Sequence, residues 1–231
     1  MDFFEAVKRR RSIRRFSDTK VPDEVIDRAL EAAIWAPNSS NTQTWNFYWV
    51  KEDNIRAKLA LACLNQSAAR KAQHLIVVTA DGKLWKRSLP FLRSWVNGAN
   101  APKEVQTYYG KVVPFTYSYG WFNSFGLIKW LVGRIVSLFR PFPRGPSFRR
   151  DIQEVAIKSA ALACENFVLA IAAQNFDSCM MEGFDAGRVR KVLKLKGSEE
   201  IVMVIAVGKA TDQGTWAPPF RIPKELVIHK F

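Results

Sequence analysis

Apolar residues recur at helical spacing over residues 22–35, where Val25, Ile26, Ala29, Leu30 and Ala33 share one face. Pro22 suits the first helical position, and Asp23 and Glu24 suit the positive end of a helix dipole. Pro37 stops the pattern by biasing Ala36 away from helical angles. Phe3, Phe4 and Val7 predict a short helix over 2–11, and residues 53–62 read as another. Three runs change to strand character: W-N-F-Y-W-V at 45–50, L-I-V-V-T at 75–79 and I-V-M-V-I-A-V at 201–207, the last ending at Gly208. Residues 151–174 are alanine-rich and apolar at close intervals. They predict a long central helix that neighbours can approach on more than one side, and a candidate subunit interface. Helices outnumber strands, and the strands lie far apart, so the architecture is α+β or α/β with a helix-covered sheet. There is no internal repeat, and 231 residues suffice for one core.

Charge adds a second pattern. The chain carries 35 Lys and Arg against 21 Asp and Glu, a net +14. Most of the excess is confined to residues 83–150, which hold 12 basic residues, one acidic residue (Glu104) and 15 of the 29 aromatics. This stretch reads as an insertion packed over the core or as a surface device. A competing reading is a peripheral membrane contact through 112–140, since Val112–Ile128 is uncharged and flanked by basic residues. Pro114, Gly120 and Gly126 make it a poor spanning helix. Stacking on single-stranded nucleic acid is the least favoured reading.

Several chemistries are excluded. The three cysteines, at 63, 164 and 179, form no paired C-x-x-C and no disulfide framework. Two histidines cannot build a His-rich metal site; His74 reads as a strand-start residue and His229 as part of the tail. No apolar leader follows Met1 and Asp2, and no run of 18 uncharged apolar residues exists. A reducing, cytoplasmic setting is the expectation, with membrane association open only as a surface contact.

The run K-R-R-R-S-I-R-R-F, residues 8–16, places Arg9, Arg10, Arg11, Arg14 and Arg15 within seven residues, with Ser12 among them. A phosphate monoester needs several donors that keep their own charge, and guanidinium groups with a hydroxyl supply them. The same residues would also suit the C-terminal end of a helix over 2–11. On charge alone, a solvated cap, a phosphate clamp and a nucleic-acid contact all remain open.

Five segments carry a resemblance. R-R-S-I-R-R-F, residues 10–16, resembles the opening signature of the nitroreductase-like family of FMN-dependent NAD(P)H oxidoreductases. The resemblance implies that Arg10, Ser12 and Arg14 grip the FMN phosphate, with Arg11 or Arg9 beside them. A-P-N-S-S-N-T-Q-T-W, residues 36–45, is similar to the family loop that reaches the flavin from the other subunit. It implies roles for Pro37, Asn38, Ser39 and Asn41, with Gln43 nearby, although Asn38 replaces a usual serine and Thr44 a usual proline. M-E-G-F-D, residues 181–185, resembles the segment whose backbone N–H after the glutamate faces flavin N5, here Glu182 and Gly183. In P-P-F-R-I-P, residues 218–223, Arg221 matches a phosphate-closing arginine and Pro219 takes the place of a lysine, for which Lys209 is a candidate replacement. Asn65, with Gln66 as its rival, resembles an asparagine near the ring or ribityl chain. Cys179 falls beside the third segment without an assigned role.

The resemblance therefore implies one domain over 1–231 with a nitroreductase-like α+β fold. A central, mainly antiparallel sheet would be flanked by helices in an intertwined homodimer. FMN would pass hydride from NADH or NADPH to a flat aromatic acceptor such as a nitroaromatic or quinone, in a ping-pong cycle. No catalytic side chain and no metal would be required. Enone reduction and reductive dehalogenation are alternatives within the family. A non-enzymatic basic module for membrane or nucleic acid is the alternative outside it.

Overall fold

The three β-branched runs pair with one another, and a fourth strand that the residue pattern does not announce joins them. The computed structural model describes residues 1–231. Strands β1 (Trp45–Val50), β2 (His74–Ala80), β3 (Asp177–Met181) and β4 (Glu200–Gly208) form one antiparallel sheet in the order β1-β2-β4-β3. The α+β expectation with an antiparallel sheet is borne out. The helices are α1 (Phe3–Arg9), α2 (Asp23–Ile34), α3 (Asp53–Ala62), α4 (Ser67–Lys71), α5 (Trp85–Gly98), α6 (Lys103–Thr107), α7 (Val113–Tyr117), α8 (Ser124–Val136), α9 (Arg149–Ala173) and α10 (Ala186–Leu193).

Alternate residues of a strand face opposite sides, and here both sides are covered. Ile76, Val78, Ile205 and Val207 pack against α2 and α9, whereas Leu75, Val77, Val204 and Ala206 pack against α3 and α4. That two-sided burial explains why the central strands read as unbroken apolar runs. Alanines at 29, 33, 156, 160 and 163 let α2 and α9 approach closely, and Asn166 Nδ2 donates to Ala32 O at 3.1 Å across the pair. α9 is long and apolar enough to cross a membrane by composition, but Ala160, Ala163, Phe167 and Ile171 lie in the core. α9 starts before residue 151 because the Asp151 carboxylate accepts from the N–H groups of Ser147 and Phe148, at 2.9 and 3.0 Å. Pro22 is the extended residue before α2 rather than its first helical residue.

Two polar groups brace the sheet. His74 opens β2, accepts from Trp49 Nε1–H at 3.2 Å and lies 2.9 Å from Val21 O through Nε2. Its Nδ1 is thus the acceptor and Nε2 carries the hydrogen. This agrees with its reading as a strand-start residue. Glu199 is buried before β4, and its Oε2 accepts from Thr79, Tyr48 and Asn46 at 2.7, 2.7 and 3.1 Å. Burial alone would raise its pKa, but these bonds outweigh it and hold the carboxyl below its ordinary value. Burial, with Glu199 as acceptor, pushes the Tyr48 hydroxyl up to about 12.

Residues 83–150 divide in two. Trp85, Leu89, Leu92 and Val96 of α5 join Tyr109, Val113 and Tyr117 in a separate core sealed on Ile152 of α9. The remainder, with α8, projects outward.

Candidate functional site

α1 ends where the basic run begins, because Arg10 adopts an extended ψ of 123°. Arg9 is diverted from the other arginines: it donates to Ala172 O at 2.7 Å and pairs with Asp177 at 3.3 Å. From Arg10 onward the chain lies along the edge of β3. Ser12 bridges Ser178, Ile13 N–H donates to Ser178 O at 2.9 Å, and Arg14 N–H donates to Gly214 O at 2.7 Å. Phe16 anchors the far end by packing over Gly208, where a Cβ would meet its ring at 2.6 Å.

This anchoring places Arg10, Arg11, Ser12 and Arg14 on one wall of a cavity of about 710 Å³. Residues 215–221, which include Trp216, Pro219 and Arg221, form the other wall. Four guanidinium groups, the Lys8 side chain and the Ser12 and Thr215 hydroxyls thus line the cavity, and no carboxylate does. Glu165 is the acidic neighbour, 3.8 Å from Arg10 Nε. Arg11 fixes the far wall by donating to Ala217 O at 2.6 Å, and Arg14 lies 4.8 Å from the centre of the Trp216 ring. The arrangement suits a polyanionic group beside a flat apolar one.

A single amide links this cavity to the M-E-G-F-D segment. Gln66 Oε1 accepts from Arg14 at 3.4 Å, and its Nε2 donates to Gly183 O at 2.7 Å. A Cβ on Gly183 would lie 3.3 Å from that nitrogen. Glu182 and Gly183 are exposed, and the Gly183 N–H has no acceptor within the chain. Asn65 is exposed with a left-handed φ of 53°, and its N–H closes the end of α3 on Ala60 O at 3.0 Å. Gln66 rather than Asn65 therefore makes the side-chain connection.

The 36–45 loop is elsewhere. None of Pro37, Asn38, Ser39, Asn41 and Gln43 lines the arginine cavity. Ser40, Asn41 and Gln43 hold positive φ angles of 55°, 50° and 46°. Asn38 Oδ1 stabilises this turn by accepting from Gln43 N–H at 2.9 Å. The packed half of the insertion sets the loop in place: Tyr117 donates to Ser39 Oγ at 2.7 Å, and Arg87 to Gln43 O at 2.9 Å. Asn41, Gln43, Arg87, Phe91 and Trp95 share a second hollow of about 440 Å³. The arginine cavity and this hollow share no lining residue.

One expectation changes, and one open residue finds its place. Lys209 does not replace the missing lysine, because its ammonium donates to Asn175 O at 2.6 Å and lies outside the cavity. Cys179 is a fully buried core residue whose thiol pKa is pushed up by burial, so it is no accessible nucleophile. Trp216 also lines the cavity, and its only sequence signal is its place between Gly214 and the P-P-F-R-I-P segment, close to Arg221.

Comparison with known proteins gives the family and the fold. The model of the nitroreductase family matches residues 7–209. Protein DrgA of Synechocystis is 32% identical over 213 residues, covering 92% of this chain and 86% of that protein. A structure assigned as a nitroreductase in complex with FMN, from Exiguobacterium sibiricum, superposes with a TM-score of 0.75 at 24% identity, covering 100% of this chain and 98% of the other. The gut-bacterial enone reductase CLA-ER gives 0.73 at 18% identity, covering 99% and 97%. These two likenesses concern the fold. With a family model over most of its length and a relative above 30% identity, the chain belongs to the nitroreductase-like family of FMN-dependent NAD(P)H oxidoreductases.

Proposed function

We propose that the arginine cavity binds the FMN phosphate through Arg10, Arg11, Ser12, Arg14 and Arg221. The carrying observation is four guanidinium groups, one lysine and two hydroxyls around one cavity whose lining has no carboxylate. Its volume of about 710 Å³ falls within the range of about 300–1,000 Å³ for small-molecule sites. Bound FMN would supply hydride chemistry between NADH or NADPH and a flat acceptor. The chain's own residues anchor, orient and desolvate. The unpaired Gly183 N–H is the donor for the ring edge, Glu182 shapes the same turn, and Gln66 ties that turn to the clamp. Asn65, exposed next to Gln66, adds an amide toward the ribityl side.

Pro37, Asn38, Ser39, Asn41 and Gln43 complete the site from a second copy, so the active species is an intertwined homodimer. Supporting this, residues 216–231 are exposed throughout and carry Trp216, Phe220, Ile222 and Leu226. A lone chain would leave that apolar arm in water. Phe91 and Trp95, beside the loop, offer stacking faces for a nitroaromatic or quinone. Donor and acceptor would use that space in turn, in a ping-pong cycle.

The purified protein should be yellow and should bleach with NADH or NADPH. Arg10→Ala and Arg14→Ala should each raise the FMN Kd by about tenfold or more, equivalent to ~1.4 kcal/mol. Unchanged affinity in both variants would refute the clamp.

A further inference from the structure

The outward half of the insertion is built inside out. An amphipathic helix normally turns its large apolar residues to the core. α8 instead packs through Gly126 and Gly133, one helical face seven residues apart. A Cβ on Gly126 would collide with Ser147 O, and one on Gly133 would meet the Phe142 ring at 3.6 Å. At about 100° per residue, Leu127, Ile128, Leu131, Val132 and Ile135 occupy the opposite face, and all five are exposed. The stripe is extended at both ends. Before it, Phe122 and Asn123 take left-handed angles, and the Trp121 and Phe122 side chains are 84% and 87% exposed. After it, Leu138 and Phe139 are 79% and 84% exposed.

Charge identifies what covers this stripe. Residues 105–150 contain no Asp or Glu and seven basic residues. Lys129 turns inward, donating to Thr116 O at 2.8 Å. The other six, Lys111, Arg134, Arg140, Arg144, Arg149 and Arg150, are exposed. A second copy seated symmetrically on this stripe would press two such cationic segments together. An anionic lipid surface satisfies both features: apolar side chains enter the headgroup–acyl boundary while cations meet the lipid charge. Exposed Trp and Phe at the ends of the stripe suit that boundary. α8 has 13 residues, a length of about 20 Å against a hydrocarbon core of about 30 Å, so it can lie in the interface but cannot span it.

We propose that α8 and its aromatic ends dock this protein on anionic membranes. The inference does not rest on the FMN reading, since vesicle binding and flavin reduction are measured separately. The test is flotation of the full-length protein with phosphatidylcholine vesicles, with and without phosphatidylglycerol. Wild type should float with the anionic vesicles alone and lose binding as salt rises. Leu131→Glu with Ile135→Glu should lower partitioning by about tenfold or more while leaving the circular dichroism spectrum unchanged. Arg140→Glu with Arg144→Glu should weaken flotation with the anionic vesicles and flatten its salt dependence. The proposal falls if wild type fails to float. It also falls if Leu131→Glu with Ile135→Glu floats normally. A dimer split by that double variant, without vesicle binding in wild type, would reassign the stripe to contact between copies. Retention on a single-stranded oligonucleotide without vesicle binding would reassign it to nucleic acid.

Discussion

Glu199 is a buried carboxylate satisfied by three neutral donors instead of a cation. Removing it leaves Asn46, Tyr48 and Thr79 donors without their acceptor, so Glu199→Ala should cost about 3 kcal/mol in denaturant unfolding. The pH dependence follows from its lowered folded-state pKa. This stabilisation is complete above the ordinary glutamate pKa of about 4.3 and is lost as pH falls through the lower folded-state value. Glu199→Gln should remove that part of the acid dependence; an identical acid transition in both proteins would count against it. Gln66 acts on the site rather than the sheet. Its two hydrogen bonds join Arg14 to Gly183. Gln66→Leu should therefore cost about 1 kcal/mol of stability and weaken FMN binding by a larger factor than NAD(P)H turnover of the loaded enzyme.

At the scale of elements, small residues decide which faces meet. Alanines bring α2 onto α9, and Gly208 admits the Phe16 ring that pins the arginine segment. Glycines in α8 do the reverse of ordinary burial, seating the helix by its narrow face. Gly126→Val should force α8 away from Ser147, since the collision is with backbone rather than a flexible side chain. The expected penalty is about 1–3 kcal/mol, confined to residues 118–148. Hydrogen exchange should then quicken in that segment while β2 and β4 stay protected. Equal exchange everywhere would show that the packing at Gly126 is unimportant.

For the whole molecule, the arginine cavity and the 36–45 loop belong to different parts of one chain, and the proposed homodimer would bring them together. Deleting residues 222–231 spares every lining residue of the cavity and removes only exposed chain. Sedimentation should show a weakened dimer, and FMN affinity should fall by about tenfold or more. A truncated monomer that binds FMN as tightly as the full chain would overturn the shared-site reading.

The residue order by itself determined helices α1, α2, α3 and α9, three of the four strands and the segments that carry the family resemblance, because local spacing encodes them. Residues 53–62 and 45–50 match their observed elements. D-S-C-M-M was not legible as a strand, since it has no alternation and lacks β-branched residues. Pairing with β4 makes it one. Arg9 and Arg10 are identical in type and adjacent, yet one braces Ala172 and Asp177 while the other faces the cavity. Only the turn at the end of α1 separates those roles. The basic, aromatic character of 83–150 was likewise plain, but not its division into a buried half and an exposed one. That division depended on which faces of α5 and α8 found partners, a property of packing rather than of composition.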